Sequence, residues 1–371
     1  GARTGLSFVA LSRRTYGHKG VLVLSVGLIV VYCVWYAICS LILTDALIAM
    51  FALPFSKPLI AAFLCAFMAL NVFTGFRGIA SFATLVAGPL TVIWIAYGLA
   101  RVLGVSHLGA LTAQKGGPGL WQALPVVASF ICGISSWGNE ADYWRYAQPR
   151  WSATLLALLF ALFIGIFVFP VTGWLLGEAS HGGSASDAMG ALTHFTLGGH
   201  KTVAALILVV TTFAVSDAIL YAAIESARSN LQPHSYHRTA IFMTTGCVVA
   251  TVLLSSIQRS LEVALSIGYV FLPTATSIVL AEELLRRRRP TGPLPEEPPA
   301  EWPTAWNVQA LSALAAACLF GVLTSGLLPG LEAWRIGLPP LQVWLFGTLL
   351  YLVLRTAGRA SPRVGGGPPD S

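Results

Sequence analysis

Three runs hold the residue types that could do chemistry. From Ser129 to Tyr146 the chain starts as an apolar helix, becomes rich in Gly, Ser and Asn, and closes on Asp142-Tyr143-Trp144-Arg145-Tyr146. Backbone that leaves helical pairing at bilayer depth is tolerated only where protein or a water-filled cavity satisfies its polar groups. The run therefore reads as a site, or else as a helix end with a polar, aromatic cap. In Thr211-Thr212-Phe213-Ala214-Val215-Ser216-Asp217, the acid falls well inside an apolar stretch. An acid there is costly unless paired or hydrated, which makes Asp217 a functional candidate, the other reading being a structural hydrogen bond to a neighbouring helix. Glu225, two turns on, reads as interfacial. Tyr32, Trp35, Tyr36 and Cys39 follow one another at helical spacing in mid-span. Anchoring aromatics sit at membrane interfaces, so a mid-span Trp35 is either a stacking face for a planar ligand or plain helix packing.

Composition places these runs in a membrane. Of 371 residues 56% are hydrophobic and only 10% charged, and the mean hydropathy is +0.75. That excludes an ordinary soluble domain and points to an all-α, multi-spanning integral membrane protein. All six cysteines lie in apolar runs without close metal-type spacing and read as small buried hydrophobes, so neither disulfides nor zinc are expected. The seven histidines fall in loops or at span ends, and no Ser-His or paired-acid constellation emerges within the spans, which argues against a membrane enzyme.

Apolar runs of span length predict ten helices, at about 21–44, 58–76, 79–103, 119–138, 152–176, 202–225, 238–257, 261–284, 306–328 and 337–356. With a cytoplasmic start, 16 of the 22 Lys and Arg fall on inside loops, so both termini are expected in the cytoplasm of a cell that carries the protein in its plasma or inner membrane. Gly75-Phe76-Arg77-Gly78-Ile79 reads as a tight hairpin, and Pro89 and Pro273 as kinks inside their spans. The loop from Gly177 to Lys201, with a short helical pattern around Ala185 to Phe195, reads as a lid or as a solvated connector. Arg286 to Arg289 anchor topology rather than bind nucleic acid. The expected organisation is a core of eight spans over 1–289, a Pro- and Glu-rich linker over 290–305, two peripheral spans over 306–356 and a disordered tail over 357–371.

Gly1-Ala2-Arg3-Thr4-Gly5-Leu6, followed by Ser12-Arg13-Arg14-Thr15-Tyr16-Gly17-His18-Lys19-Gly20, resembles the loop before the third helix of the nucleobase:cation symporter family, which holds cytosine permeases and hydantoin or purine transporters. Asp142 to Tyr146 resembles that family's Asp-Tyr-Ser-Arg-Tyr signature after its sixth helix. Gly75-Phe76-Arg77 with Pro89, and the run Asp217 to Tyr221, are similar as well, and the likeness covers nearly the whole chain in order. It implies a LeuT-type inverted-repeat fold, here with about ten transmembrane helices and lacking the family's first two. On that footing the chain is expected to be a fragment of a longer transporter or a truncated product.

The resemblance also assigns residues. Trp35 matches the stacking tryptophan of the third helix, and Ser129 with Phe130 matches the sixth-helix pair that hydrogen-bonds and stacks from the other side. Tyr32 stands where a cytosine permease has glutamine, and Ser216 joins the substrate-binding set. The run matching the sodium-binding part of the eighth helix reads Phe213, Ala214, Val215 and Ser216, so two oxygen ligands are missing where a hard cation needs about six. Coupling is then expected through Asp217, with Thr211 on the same helix, and to a proton rather than to sodium.

The implied function is that of a permease importing a nucleobase or related planar nitrogen heterocycle, such as cytosine, purine, allantoin or hydantoin, by alternating access around a midplane site. No cofactor is expected beyond the coupling ion. The expected partners are the heterocyclic solute and the lipid bilayer, with no nucleic acid. A truncated sensor or scaffold of transporter ancestry is the alternative: it would bind the solute without accumulating it. A multi-spanning membrane enzyme is the third reading.

Overall fold

A computed structural model describes residues 2, 4–105, 124, 140–148, 150–179, 185–196, 199–229, 235–257, 260–287, 305–325 and 337–360. Its helices are α1 (Phe8–Tyr16), α2 (Gly20–Phe51), α3 (Lys57–Met68), α4 (Gly75–Phe82), α5 (Gly88–Val105), α6 (Glu140–Trp144) and α7 (Trp151–Leu162). They continue with α8 (Phe169–Ala179), α9 (Ala185–His194), α10 (Lys201–Arg228), α11 (Tyr236–Ser255), α12 (Ser260–Arg287), α13 (Val308–Thr324) and α14 (Pro339–Ala360). Helices lie over every expected span except 119–138, which apart from Leu124 falls outside the described residues.

Among the described residues six helical stretches are long and apolar enough to cross a membrane. The longest, Lys57–Gly104, has 48 residues. At about 1.5 Å per residue that is more than twice a hydrocarbon core of about 30 Å, so one crossing cannot hold it. The break is at Gly75, whose φ of 72° and ψ of −169° leave helical geometry. A 3-10 turn, Leu70–Thr74, precedes it, and α4 resumes at once. The hairpin expected over Gly75 to Ile79 is thereby corrected: the helix breaks over 70–75, and Phe76 to Ile79 are helical.

Local chemistry accounts for the other irregularities. α2 ends where Ala52 takes a φ of +49° and Pro54 follows. Proline has no N–H to donate to the carbonyl four residues back, and wide π turns stand just before Pro89 (Ala83–Ala87) and just before Pro170 (Phe163–Val168). Gly88 fits under the first of these because a Cβ there would lie 2.8 Å from the Ala83 carbonyl oxygen.

The chain divides into two compact units. The first comprises Gly1–Ser7, Val26–Gly119 and Ala141–Ala264. Within it α11 packs along α3 and α10, and α8 along α5. Ile38, Leu41 and Ala61 join α2 to α3, and Met50, Ala204 and Ala205 join α2 to α10, with Met189 and Leu192 of α9 against them. Within the region read as lid or connector, α9 is thus helical and packed.

The second unit comprises Phe8–Ser25, Leu120–Glu140 and Leu265–Ser371. Packing between helices in a bilayer depends on close backbone approach and interhelical hydrogen bonds rather than on hydrophobicity, because lipid is as apolar as leucine. Gly321 of α13 supplies the approach: a Cβ there would stand 2.5 Å from Val343 and 3.0 Å from Val270. Hydrogen bonds supply the rest. Thr274 donates to the Val343 carbonyl at 3.2 Å, Thr348 to Ser277 at 2.8 Å, and Tyr351 to Glu282 at 2.7 Å. Arg355 completes the set with Nε 2.8 Å and Nη2 2.9 Å from the buried Glu282 carboxylate. The last two spans are thereby tied to α12, and Asn307 at the head of α13 holds α1 by donating to the Thr15 carbonyl at 2.6 Å.

Candidate functional site

Asp217 lies on α10 and is fully buried. Its Oδ2 accepts from Asn71 Nδ2 at 2.6 Å, while its Oδ1 is buried with no hydrogen-bond partner among the described residues. Asn71 belongs to the 3-10 turn before Gly75, and its orientation is set locally. Thr74 Oγ1 donates to the Asn71 carbonyl at 2.6 Å and lies 3.3 Å from Asn71 Oδ1, which turns the amide nitrogen toward Asp217. A Cβ on Gly78 would collide with that hydroxyl, so a glycine leaves Thr74 its place. Gly78, Thr74, Asn71 and Asp217 form one chain of consequence, from a missing side chain to an oriented acid.

Of the remaining expected residues of α2 and α10, Thr211 lines a cavity, and Tyr32, Trp35 and Ser216 do not. A cavity of about 310 Å³ is lined by Cys39 and Ile42 of α2, Trp94 of α5, Leu192 of α9, and Thr211, Thr212 and Val215 of α10, among others. Thr211 spends its hydroxyl on the Ile207 carbonyl at 2.9 Å. Trp35 is half-buried one turn before Cys39, and the spacing of four residues puts both on one helix face. Tyr32 is buried at 1% exposure. Ser216 is buried, stands beside Cys39, and donates to Met68 Sδ at 3.5 Å. Thr211 and Asp217 are six residues apart, so at about 100° per residue their side chains leave α10 some 120° apart. The acid faces the 3-10 turn and the threonine faces the cavity. Ser129 and Phe130 lie outside the described residues.

A third cluster forms at the C-terminal end of α10. Glu225 is 6% exposed, with Oε2 accepting from Arg145 Nη2 at 2.9 Å and Oε1 from Arg228 Nη1 at 3.2 Å. Glu225, expected at an interface, is thus also ion-paired. Its half-buried partner Arg145 arrives from a segment 80 residues away, which no local pattern reveals. Burial is the largest single influence and works against the Arg145 charge, but the Glu225 carboxylate together with Tyr221 and Tyr146 outweighs it, and the guanidinium pKa moves up. Phe76, Tyr143, Tyr146 and Tyr221 pack around this pair. Tyr143 also donates to the Ala218 carbonyl at 2.6 Å, next to Asp217. The Asp-Tyr-x-Arg-Tyr run thus holds α10 at two levels.

Asn71, Thr74 and Gly78 were missed by sequence reasoning. The available signal was small: Asn71 is the one carboxamide in the apolar stretch 58–103. No group of three or more His, Cys, Asp or Glu that could hold a metal occurs among the described residues.

By fold the chain is similar to the solved structure of Mhp1, a nucleobase-cation-symport-1 family transporter, in a closed conformation with bromovinylhydantoin bound. The TM-score is 0.69 at 18% identity, over 98% of this chain and 81% of that one, which places this chain in the LeuT-type fold. No curated protein matches it. A permease family and a transporter neighbour point to transport rather than to catalysis. Residues 1–328 match the family of permeases for cytosine/purines, uracil, thiamine and allantoin, and the chain belongs to that family.

Proposed function

We propose that the protein carries a planar, nitrogen-rich heterocycle of the nucleobase or hydantoin kind into the cell, with Trp35 as its stacking face and a proton on Asp217 as the coupling ion. Both termini then lie in the cytoplasm, the side to which 16 of the 22 Lys and Arg fall. The observation that carries the coupling is the half-satisfied acid: Asp217 is fully buried, one oxygen is held by Asn71 at 2.6 Å, and the other has no partner among the described residues. A buried carboxylate with a bare oxygen has a place for a proton and a free-energy reason to take one. Ala214 and Val215 add no side-chain oxygens beside it, so a hard cation finds few ligands on this stretch of α10.

Purified protein in liposomes, given labelled cytosine, uracil, adenine and allantoin in turn, tests this reading. Accumulation driven by an inward proton gradient, and indifferent to a sodium gradient, is the expected result. Accumulation that follows sodium alone would remove the role of Asp217, and binding without accumulation would favour a sensor.

A further inference from the structure

The cluster at the end of α10 contains a side chain in the position of a ligand. Tyr146 is stacked on Phe76, with ring centroids 4.2 Å apart and planes 18° from parallel. The Arg145 guanidinium carbon lies 4.8 Å from the centre of the same ring. The Tyr146 hydroxyl accepts from Arg145 Nη2 at 2.7 Å and meets the Tyr221 hydroxyl at 3.1 Å. Yet Tyr146 is 55% exposed, so the stack and these polar contacts hold a ring that remains half open to its surroundings. Beside it opens a cavity of about 460 Å³, lined by Gly5, Arg145, Tyr146, Glu225, Arg228 and Ser229.

We propose that Phe76, Arg145, Tyr221 and Glu225 form a second binding site for a planar heterocycle, which the Tyr146 ring fills in the structure described. The chemistry of the occupant follows from what Tyr146 does there. A flat ring covers Phe76 under a guanidinium, an arrangement aromatic and heteroaromatic faces share. An oxygen at the ring's edge accepts from Arg145 and Tyr221, the role a heterocycle's carbonyl would play, and a ring N–H beside it would donate to Glu225. The site is separate from the Trp35 face, and it rests on the reading above that the solute is a planar nitrogen heterocycle. Tyr146 acts as its tethered competitor: a solute arriving from the cavity displaces the ring, and the ring displaces it in turn.

The test is equilibrium binding of tritiated cytosine, uracil, adenine and allantoin to the purified full chain. Wild type is expected to bind one equivalent, lost in Trp35→Ala. Tyr146→Ala, which removes a half-exposed ring, is expected to bind two, the second surviving in the Trp35→Ala/Tyr146→Ala double variant and disappearing when Phe76→Leu is added. Tyr146→Phe, which keeps the slot filled, should stay at one. Wild-type binding with no gain in Tyr146→Ala overturns the second site and leaves the transport reading standing. A gain that vanishes with Trp35→Ala overturns it too, because the added equivalent then belongs to the first site. If wild type binds none of the four but the double variant binds one, the second site stands and the Trp35 reading falls. If neither binds any, both fall.

Discussion

Asp217 and Glu225 sit on the same helix, two turns and about 12 Å of rise apart, and meet opposite company. Glu225 has both oxygens engaged by guanidinium groups, Arg145 at 2.9 Å and Arg228 at 3.2 Å. Asp217 has one oxygen engaged by a neutral amide and the other by nothing among the described residues. An ion pair of the first kind holds segments together. An acid held by one neutral donor is the kind of group to which the proposed coupling assigns the proton. Glu282 of the second unit follows the pattern of Glu225, with Arg355 and Tyr351 on its oxygens. Among the described residues Glu225 and Glu282 are therefore fasteners, and the surroundings of Asp217 differ from both.

Breaking the fastener should cost most. Glu225→Leu leaves the half-buried Arg145 charge without its carboxylate, at a cost between the ~1 kcal/mol of an exposed pair and the ~3–5 kcal/mol of a fully buried one. Thermal unfolding of the detergent-solubilised variant should show a clear loss of stability; a shift no larger than that of a surface substitution would mean that the pair fastens nothing. Asn71→Leu comes next. It takes from Asp217 the one donor it has among the described residues, a loss of about 1–3 kcal/mol. An unchanged transition would mean that Asp217 does not depend on the 3-10 turn.

A comparable effect is expected at Gly78. A methyl there meets the Thr74 hydroxyl and, at 2.6 Å, the Thr74 Cβ as well, so the 3-10 turn itself must shift and release the Asn71 amide, a loss of about 1–3 kcal/mol. Thr74→Ala already removes the hydroxyl that orients the amide, so combining it with Gly78→Ala should cost less than the sum of the two. Full additivity of the two would show that Gly78 acts elsewhere.

What could be read from the sequence follows this same division. Asp217 stood out because an acid inside an apolar run is anomalous in itself. The helices were legible for a similar reason, since span-length apolar runs have few alternatives in a bilayer. The ion pair of Glu225 is not legible because an acid near a span end is ordinary, and its guanidinium comes from a residue 80 positions away. Asn71 went unnoticed because its importance lies in a contact 146 residues away. Gly75 was seen as a turn, yet the break began at Leu70, since a 3-10 turn has no residue signature comparable to a glycine. Trp35 and Ser216 were placed near one another by family likeness. In the structure they lie on helices that meet at Cys39.

The smallest expected change in stability belongs to the residue with the largest expected change in coupling. Asp217→Asn replaces the acid by a group of the same shape that resembles its protonated form, so the fold should lose less than about 1 kcal/mol. A carboxamide at this position cannot exchange a proton, however, and whatever proton dependence the acid confers should vanish. In liposomes the wild-type uptake rate should fall as external pH rises, because fewer carriers then load a proton from outside. The Asp217→Asn variant should show a flat profile across the same range. A retained slope would mean that another group carries the proton. Destabilisation as large as that of Glu225→Leu would instead make Asp217 a third fastener, and the contrast between the two acids of α10 would disappear.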